Sequence, residues 1–405
     1  MNRRLMARIQ PGFAMRVAML RVLTLATLFP NGARPTFGVF VERQTRALAA
    51  RGDVAVEVVA PIGLPRWPLS LHPHYSPLRS LPPEESRNGL VVHRPLYRLW
   101  PGLAKAGTAR AMAKALLPMM RDIRARFAFD VIDAEFFWPD GPAAMHLAAE
   151  LGVPFSIKAR GSDIHLWGAR PAIAAQIVAA GKAAGGLLAV SGALKADMEK
   201  LGLPGDAIRV HHTGIDLDRF RPADRARAKA ALGIDGPLLV TVGHLSPRKG
   251  QDLALEAVAR IPGATLILAG GGPDRARLEA MAGSLGLSAR VRFLGVQPHD
   301  ALPGLLAAAD VMVLPTVSEG LANVWVEALA CGTPVVTSDV GGAREAIDRR
   351  EAGRLVPRDP AAIAGAVNEL LAAPPDPASV RAAAERFSWE RNAAELFGHL
   401  ASLVR

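Results

Sequence analysis

The chain is 405 residues long, half of them apolar and 21% charged, which fits a globular protein of two domains and excludes a disordered one. Its one cysteine, Cys331, excludes an internal disulfide and fits a reducing cytoplasm, and no apolar run reaches the roughly 18 residues of a spanning helix. The formal net charge of +11 asks for an anionic partner, either a phosphate-bearing substrate or an anionic lipid surface; with no zinc-finger spacing, no RNA-binding aromatic motif and no basic tail, nucleic acid is not expected.

Residues 1–20 carry Arg3, Arg4, Arg8 and Arg16 without an acid. They lack the apolar core and cleavage site of a secretory signal, and read as a loose extension or a basic arm. The first buried strand is expected at 21–29, then a loop of turn formers, PNGARPTFG, and a helix over 39–50. Gly38 at the helix start is a candidate for close approach to a ligand, a plain turn glycine being the alternative. A strand over 54–59 precedes a proline-rich passage, 61–83, read as loop. Residues 97–127 set Arg98, Lys105, Arg110, Lys114, Arg121, Arg124 and Arg126 against the single acid Asp122, interleaved with Trp100, Leu103, Met112, Leu116, Met120 and Ile123. Such a segment either lies on an anionic membrane with its apolar side inserted, or packs that side on a sheet and leaves a solvated basic face. Strands are expected again at 153–159, ending at Arg160, Gly161, Ser162 and Asp163, and at 186–191, the last of the first domain. The domain boundary is placed at about residue 206.

A new strand over 238–242 runs into GHLSPRKG. Gly243 permits a tight turn, and the adjacent cations Arg248 and Lys249, where strand hands over to helix, suit a diphosphate and the charge left on it when it departs. After a strand over 264–269, Gly270, Gly271 and Gly272 form neither a full dinucleotide fingerprint nor a Walker loop. Residues 309–342 read ADVMVLPTVSEGLANVWVEALACGTPVVTSDVGG: a strand at 311–314, a polar turn, a helix over 323–331 with Asn323 as N-cap, and a second strand at 335–338. Glu319 falls in the turn after the first strand, where open α/β sheets place ligands. Glu327 lies inside the otherwise apolar helix, where an unpaired charge is expensive. Amides at the helix start can hold an anion.

Glu319, seven residues and Glu327, set in EGLANVWVEALACGTPVVTSDVGG, resembles the signature of the family 4 retaining glycosyltransferases of GT-B fold, and the resemblance runs along nearly all of the chain after its first twenty residues. It implies an α/β architecture of two Rossmann-like domains facing across a central cleft. The acceptor-binding domain would span 21–205, the nucleotide-sugar domain 206–385, and a last helix, 386–405, would cross back to the first domain. By the same resemblance Arg248 and Lys249 hold the donor diphosphate, Glu319 contacts the donor sugar and Glu327 the ribose hydroxyls. Gly243, Gly270, Gly271, Leu321, Ala322 and Asn323 shape the donor pocket, while Gly38, Glu135, Arg160 and Asp163 lie on the acceptor side or near the transferred sugar. The chain departs from the pattern where many relatives have histidines, at Asp133 and Glu135, at Arg160 before Gly161, and in the hinge IRVHHTGIDLDRFRP, where Thr213 replaces an asparagine while Gly214, Asp216 and Phe220 match. A guanidinium is no acid or base near neutral pH, but it binds carboxylate or phosphate bidentately, so Arg160 points to an acidic donor sugar or an anionic acceptor.

The resemblance and the charge together imply retaining, metal-independent transfer from a nucleoside diphosphate sugar to a hydroxyl of a lipid-linked saccharide, in bacterial cell-surface polysaccharide synthesis. The enzyme would need no cofactor and would work in the cytoplasm or at the inner face of the membrane. Two alternatives stand beside it: epimerisation or hydrolysis of a nucleotide sugar on the same fold, and a noncatalytic nucleotide-sugar-binding protein.

Overall fold

The computed structural model describes residues 19–99 and 106–404. The arginines of the amino-terminal stretch and Trp100, Leu103 and Lys105 lie outside the described residues.

The first domain is built on an eight-stranded sheet in the order β10 (Ile208–Val210), β9 (Gly186–Ala189), β8 (Phe155–Ala159), β7 (Val131–Ala134), β1 (Leu20–Leu25), β2 (Val54–Val59), β5 (Leu90–His93) and β4 (Glu84–Arg87). The pairings are parallel except for β4 with β5, a hairpin turned by Asn88 and Gly89, both at positive φ. That is the turn an Asn-Gly pair favours between two strands. The central strands are near-continuous apolar runs because helices cover both faces; Val22, Leu23 and Leu25 of β1 and Ile132 of β7 are fully buried. Within the passage expected to be loop, β3 (Ile62–Leu64) pairs with β6 (Leu96–Arg98).

The second domain carries a six-stranded parallel sheet, β13 (Val291–Gly295), β12 (Thr265–Ala269), β11 (Leu238–Val242), β14 (Val311–Leu314), β15 (Val335–Thr337) and β16 (Gly353–Leu355). Both sheets reverse their strand order once, between β1 and β7 and between β11 and β14, and at such switch points the ends of the strands leave a crevice. The two crevices face each other.

Two expectations need correction, and one open alternative is decided. Because β10 pairs with β9, the first domain continues through Val210, and the boundary follows that residue rather than falling at 206. Asn323 is the first residue of the helix Asn323–Ala330, and the N-cap is Ala322. The helix Thr108–Arg126 packs its apolar side on the first sheet, with Met112, Leu116, Met120 and Ile123 buried in the core. These four side chains are committed to the protein core, so the helix takes the sheet-packed of the two arrangements open to it. Arg110, Lys114, Arg121 and Arg126 form its exposed basic side.

The terminal helix Trp389–Val404 does cross back: Leu396 and Leu400 share a core with Leu20, Val22, Leu48 and Val131 of the first domain. Among the described residues, no helix is long and apolar enough to span a membrane.

Candidate active site

On the second domain the site grows from the end of β14. After Pro315 the chain turns through Thr316 to Ala322 into the helix Asn323–Ala330, whose start no side chain caps. Beside it, the turn after β11 bends at Gly250, in the left-handed conformation, where an added Cβ would lie 2.3 Å from the Pro315 carbonyl. Only glycine lets the two loops approach so closely. The loops are then tied: Val317 donates its amide to the Arg248 carbonyl (2.8 Å), and Arg248 Nη1 donates to the Ser318 carbonyl (2.7 Å). The result brings Lys249 Nζ onto Glu319 Oε1, with Thr316 Oγ1 donating to the same oxygen at 3.1 Å. Both members of this ion pair are largely buried, whereas Arg248 is exposed.

Glu327 has the partner that its buried position requires. His299 Nε2 lies 2.9 Å from Glu327 Oε1, and the Arg43 guanidinium reaches the same ring, its Nη2 3.0 Å from Nδ1 and its Nη1 3.2 Å from Nε2. The His299 ring also meets Phe220 edge-on at 5.2 Å. Arg43 comes from the helix Val39–Ala49 of the other domain, and burial lowers its pKa against the pull of Glu327. A hydrogen-bonded line therefore crosses the cleft from the first domain to the expected ribose carboxylate.

On the first domain, the ends of β7 and β8 carry a buried polar cluster. The carboxylate of Glu135, with no exposed surface, accepts from Gln44 and from Arg160 Nη2. Lys158 Nζ donates to Gln44 Oε1 (2.6 Å) and to His211 Nδ1 (2.7 Å), while His211 Nε2 donates to the Asn392 carbonyl (2.9 Å). Burial, helped by the neighbouring Glu135, pushes the Asp133 carboxyl well above the usual range. Burial together with Arg160 pulls the Lys158 ammonium well below its ordinary value, and burial with Lys158 does the same to His211. Arg160 lies over the Phe40 ring, 5.1 Å from its centroid.

The halves meet over a cavity of about 360 Å³ lined by Arg43, Arg160, Gly243, Lys249, Glu319, Glu327, and by Leu321, Ala322 and Asn323. Beside it the domains meet in a glycine contact: a Cβ on Gly320 would lie 2.9 Å from the Arg160 carbonyl, and one on Gly161 3.5 Å from the Gly320 amide nitrogen. A larger cavity, about 600 Å³, opens on the hinge side of the same helix and shares Arg43, Asp216 and Trp389, but not the paired acids.

Five expected site residues sit elsewhere or act otherwise. A Cβ on Gly38 would lie 2.4 Å from the Leu28 backbone, so the chain's own packing already requires this glycine. Gly270 and Gly271 do not line the cavity: a Cβ on Gly270 would fall 1.9 Å from the Gly243 carbonyl oxygen, and one on Gly271 2.9 Å from Val296. Asp163 is fully buried and its carboxylate accepts from the amides of Phe137, Arg160, Gly161 and Ile164, which folds the loop after β8. Burial raises its pKa against those bonds. Glu135 holds Arg160 and does not itself open on the cavity.

Four residues escape the sequence reasoning: Arg43, Gln44, Lys158 and His299. Lys158 had a signal, a lysine inside the otherwise apolar strand FSIKA, where a charge has to find partners. His299 and Arg43 had none, since each acts through a residue of another element.

Comparison with known proteins agrees with this architecture. Residues 37–219 match the family model described as Glycosyltransferase Family 4, and residues 223–387 match Glycosyl transferases group 1. The D-inositol 3-phosphate glycosyltransferase of Mycobacterium tuberculosis is 43% identical over 199 residues, which is 45% of this chain and 41% of that protein, so the matched stretch spans less than half of that relative. Among solved structures, a sucrose-phosphate synthase from Thermosynechococcus elongatus superposes with a TM-score of 0.75 at 23% identity, covering 95% of this chain and 99% of the other. HepE from Anabaena, solved in complex with UDP, superposes with a TM-score of 0.73 at 20% identity, covering 95% and 100%. At such identities these two likenesses speak to the fold alone. With one model matching each domain and the two sheets arranged as GT-B requires, the chain belongs to the group 1 glycosyltransferases of family 4.

Proposed function

We propose that the chain transfers a sugar from a nucleoside diphosphate sugar to a hydroxyl acceptor with retention at the anomeric carbon. One observation carries this: the Lys249–Glu319 pair and Glu327 line a single cavity between the domains. Glu319 pairs with Lys249 in the wall of the cavity. A diphosphate brings more negative charge than one carboxylate, so it takes over Lys249, with Arg248 and the uncapped start of the helix Asn323–Ala330 beside it. Glu319, released, turns to the donor sugar and stabilises the positive charge that develops as the leaving group departs. Glu327 keeps one oxygen on His299 and offers the other to the ribose hydroxyls. Lys249 and Arg248 meet the charge growing on the leaving diphosphate, and transfer proceeds without a metal. The geometry supports a front-face route, in which the leaving phosphate oxygen takes the acceptor proton, and a covalent route through Glu319 equally.

The test is thermal stabilisation by a panel of nucleoside diphosphate sugars, uridine donors first, with and without EDTA, on the wild type and Glu327→Ala. A ligand of the native state raises its apparent stability. Stabilisation by one donor, indifferent to EDTA and weakened in Glu327→Ala, is expected; no response to any donor at millimolar concentration overturns the assignment. Release of free sugar or of an epimer without acceptor would replace it by hydrolysis or epimerisation.

A lipid-linked saccharide at the inner membrane face is a second, narrower acceptor reading, supported by the net charge of +11 and by the exposed Arg110, Lys114, Arg121 and Arg126. Cosedimentation with anionic vesicles at low salt is expected, and its absence would remove the membrane part alone.

A further inference from the structure

We propose that Arg160 is the receptor for an oxyanion carried by the acceptor, so that the acceptor is a phosphorylated or carboxylated sugar or polyol and not a neutral one. This deepens the proposed transfer and rests on it.

The Arg160 side chain is 5% exposed and lines the cleft cavity. Of its donors, Nε reaches the Glu135 carbonyl at 3.4 Å, and Nη2 serves Glu135 Oε2 and Gln44 Oε1; Nη1 is buried and has no partner. A buried charged N–H left unpaired is costly, and the N–H bonds of Nη1 are what the guanidinium still offers to an oxyanion. The Glu135 pair and the Phe40 face hold the group so that little freedom is lost when an anion arrives. Arg43 supplies a second positive charge to the same cavity. Of the acids that line it, Glu319 and Glu327 are committed to Lys249 and His299, and Asp216 accepts from the Arg219 amide.

The anion belongs to the acceptor for a positional reason. Arg160 stands on the first domain, and the contact of Gly161 with Gly320 sets it beside the loop that carries Glu319. An acidic group on the donor sugar would have to sit against the Glu319 carboxylate, whereas one on the acceptor approaches from the side of β8.

The experiment uses the full chain saturated with UDP and measures binding by calorimetry of matched pairs: inositol with inositol 3-phosphate, glucose with glucose 6-phosphate, and glucose with glucuronate. At least one anionic member is expected to bind tenfold or more tightly than its neutral partner, and the phosphate and carboxylate arms tell the two anions apart. In Arg160→Gln the preference falls to within twofold while UDP affinity holds. Equal binding of both members by the wild type, or a preference that survives in Arg160→Gln, overturns the proposal. Should Arg160→Gln fail to fold because Glu135 is left charged and buried, the double variant Arg160→Gln/Glu135→Gln replaces the ion pair by two amides and gives the same reading. A preference for UDP-glucuronate over UDP-glucose that depends on Arg160 would overturn the acceptor assignment. Loss of UDP binding by the wild type would instead overturn the donor site on which the proposal stands.

Discussion

Acidification should loosen the terminal helix from the first domain through His399. This histidine is 3% exposed, its Nε2 lies 2.8 Å from Ser156 Oγ, and its ring sits where Gly186 has no side chain. Burial, with Arg209 and Lys158 nearby, lowers its pKa from 6.5 to about 4. A depressed histidine favours the folded state above its unfolded pKa, and that contribution is lost as pH falls, because the unfolded chain takes up the proton that the folded chain refuses until about pH 4. From these two values, stability should fall by about 2 kcal/mol between pH 7 and pH 5 on account of this group. Asp140, fully buried and raised by that burial to about 7, acts oppositely: its contribution is full below its unfolded pKa and lost as pH rises toward 7. The informative quantity is thus a difference. Urea unfolding at pH 7 and pH 5 is compared between the wild type and His399→Gln, whose amide keeps a bond to Ser156 and does not titrate. The wild type should lose about 2 kcal/mol more than the variant over this interval, with hydrogen exchange of residues 389–404 rising in step. An identical pH dependence in both, within about 0.5 kcal/mol, would refute the assignment of a depressed pKa to His399.

Two further outcomes follow from the cleft. His299→Ala removes the donor that orients Glu327 and the acceptor that receives Arg43, so the dissociation constant for UDP, measured by calorimetry, should rise roughly tenfold, the worth of one charge-assisted bond; a change under twofold would show that Glu327 needs no such support. Gly320→Ala drives a Cβ to 2.9 Å from the Arg160 carbonyl of the other domain and wedges the domains apart beside the cleft. Donor affinity should hold, since that site lies on the second domain, while kcat drops at least about tenfold through misplacement of the reacting groups; an unchanged kcat would mean that the domains react from a more open arrangement.

What the sequence made legible was whatever one element determines by itself. The apolar run over 311–314 must be a buried strand, a polar turn must follow Pro315, and Glu319 then falls at a strand end, so this half of the site could be read from spacing. Glu327 was legible as a buried acid, but not its partner: His299 is 28 residues earlier in the chain, and only the order of β13, β11 and β14 brings it near. The helix Thr108–Arg126 shows the same limit differently. An apolar stripe beside a basic one is what both a sheet-packed helix and a membrane-lying helix present, and the choice is made by the sheet it meets. Glycines misled for a related reason: Gly38 and Gly270 are dictated by backbone approaching backbone, at Leu28 and Gly243, and such an approach leaves no mark on the sequence beyond the glycine itself.

The two histidines that follow β10 explain how a short connection can keep the two halves of this site in register. Neighbouring side chains on an extended backbone point to opposite sides. His211 accordingly turns into the first domain, bonded to Lys158 beneath Arg160, and His212 turns toward the second, where its Nε2 meets Glu345 Oε2 at 2.7 Å. Glu345 Oε1 accepts from the Gly192 amide at 2.8 Å, at the start of a first-domain helix, and these bonds outweigh burial to hold the carboxylate below its usual range. Asn392 of the terminal helix closes the arrangement: its carbonyl accepts from His211 and its side-chain amide donates to the His212 carbonyl. Of these five hydrogen bonds, the two on Glu345 tie the second domain to the connection and to the first domain, so a rotation of one domain on the other strains both at once. The same connection is the support on which Lys158 and, through Gln44, the anion-facing Arg160 rest, so a helix from the far end of the chain bears both on the domain contact and on the acceptor side.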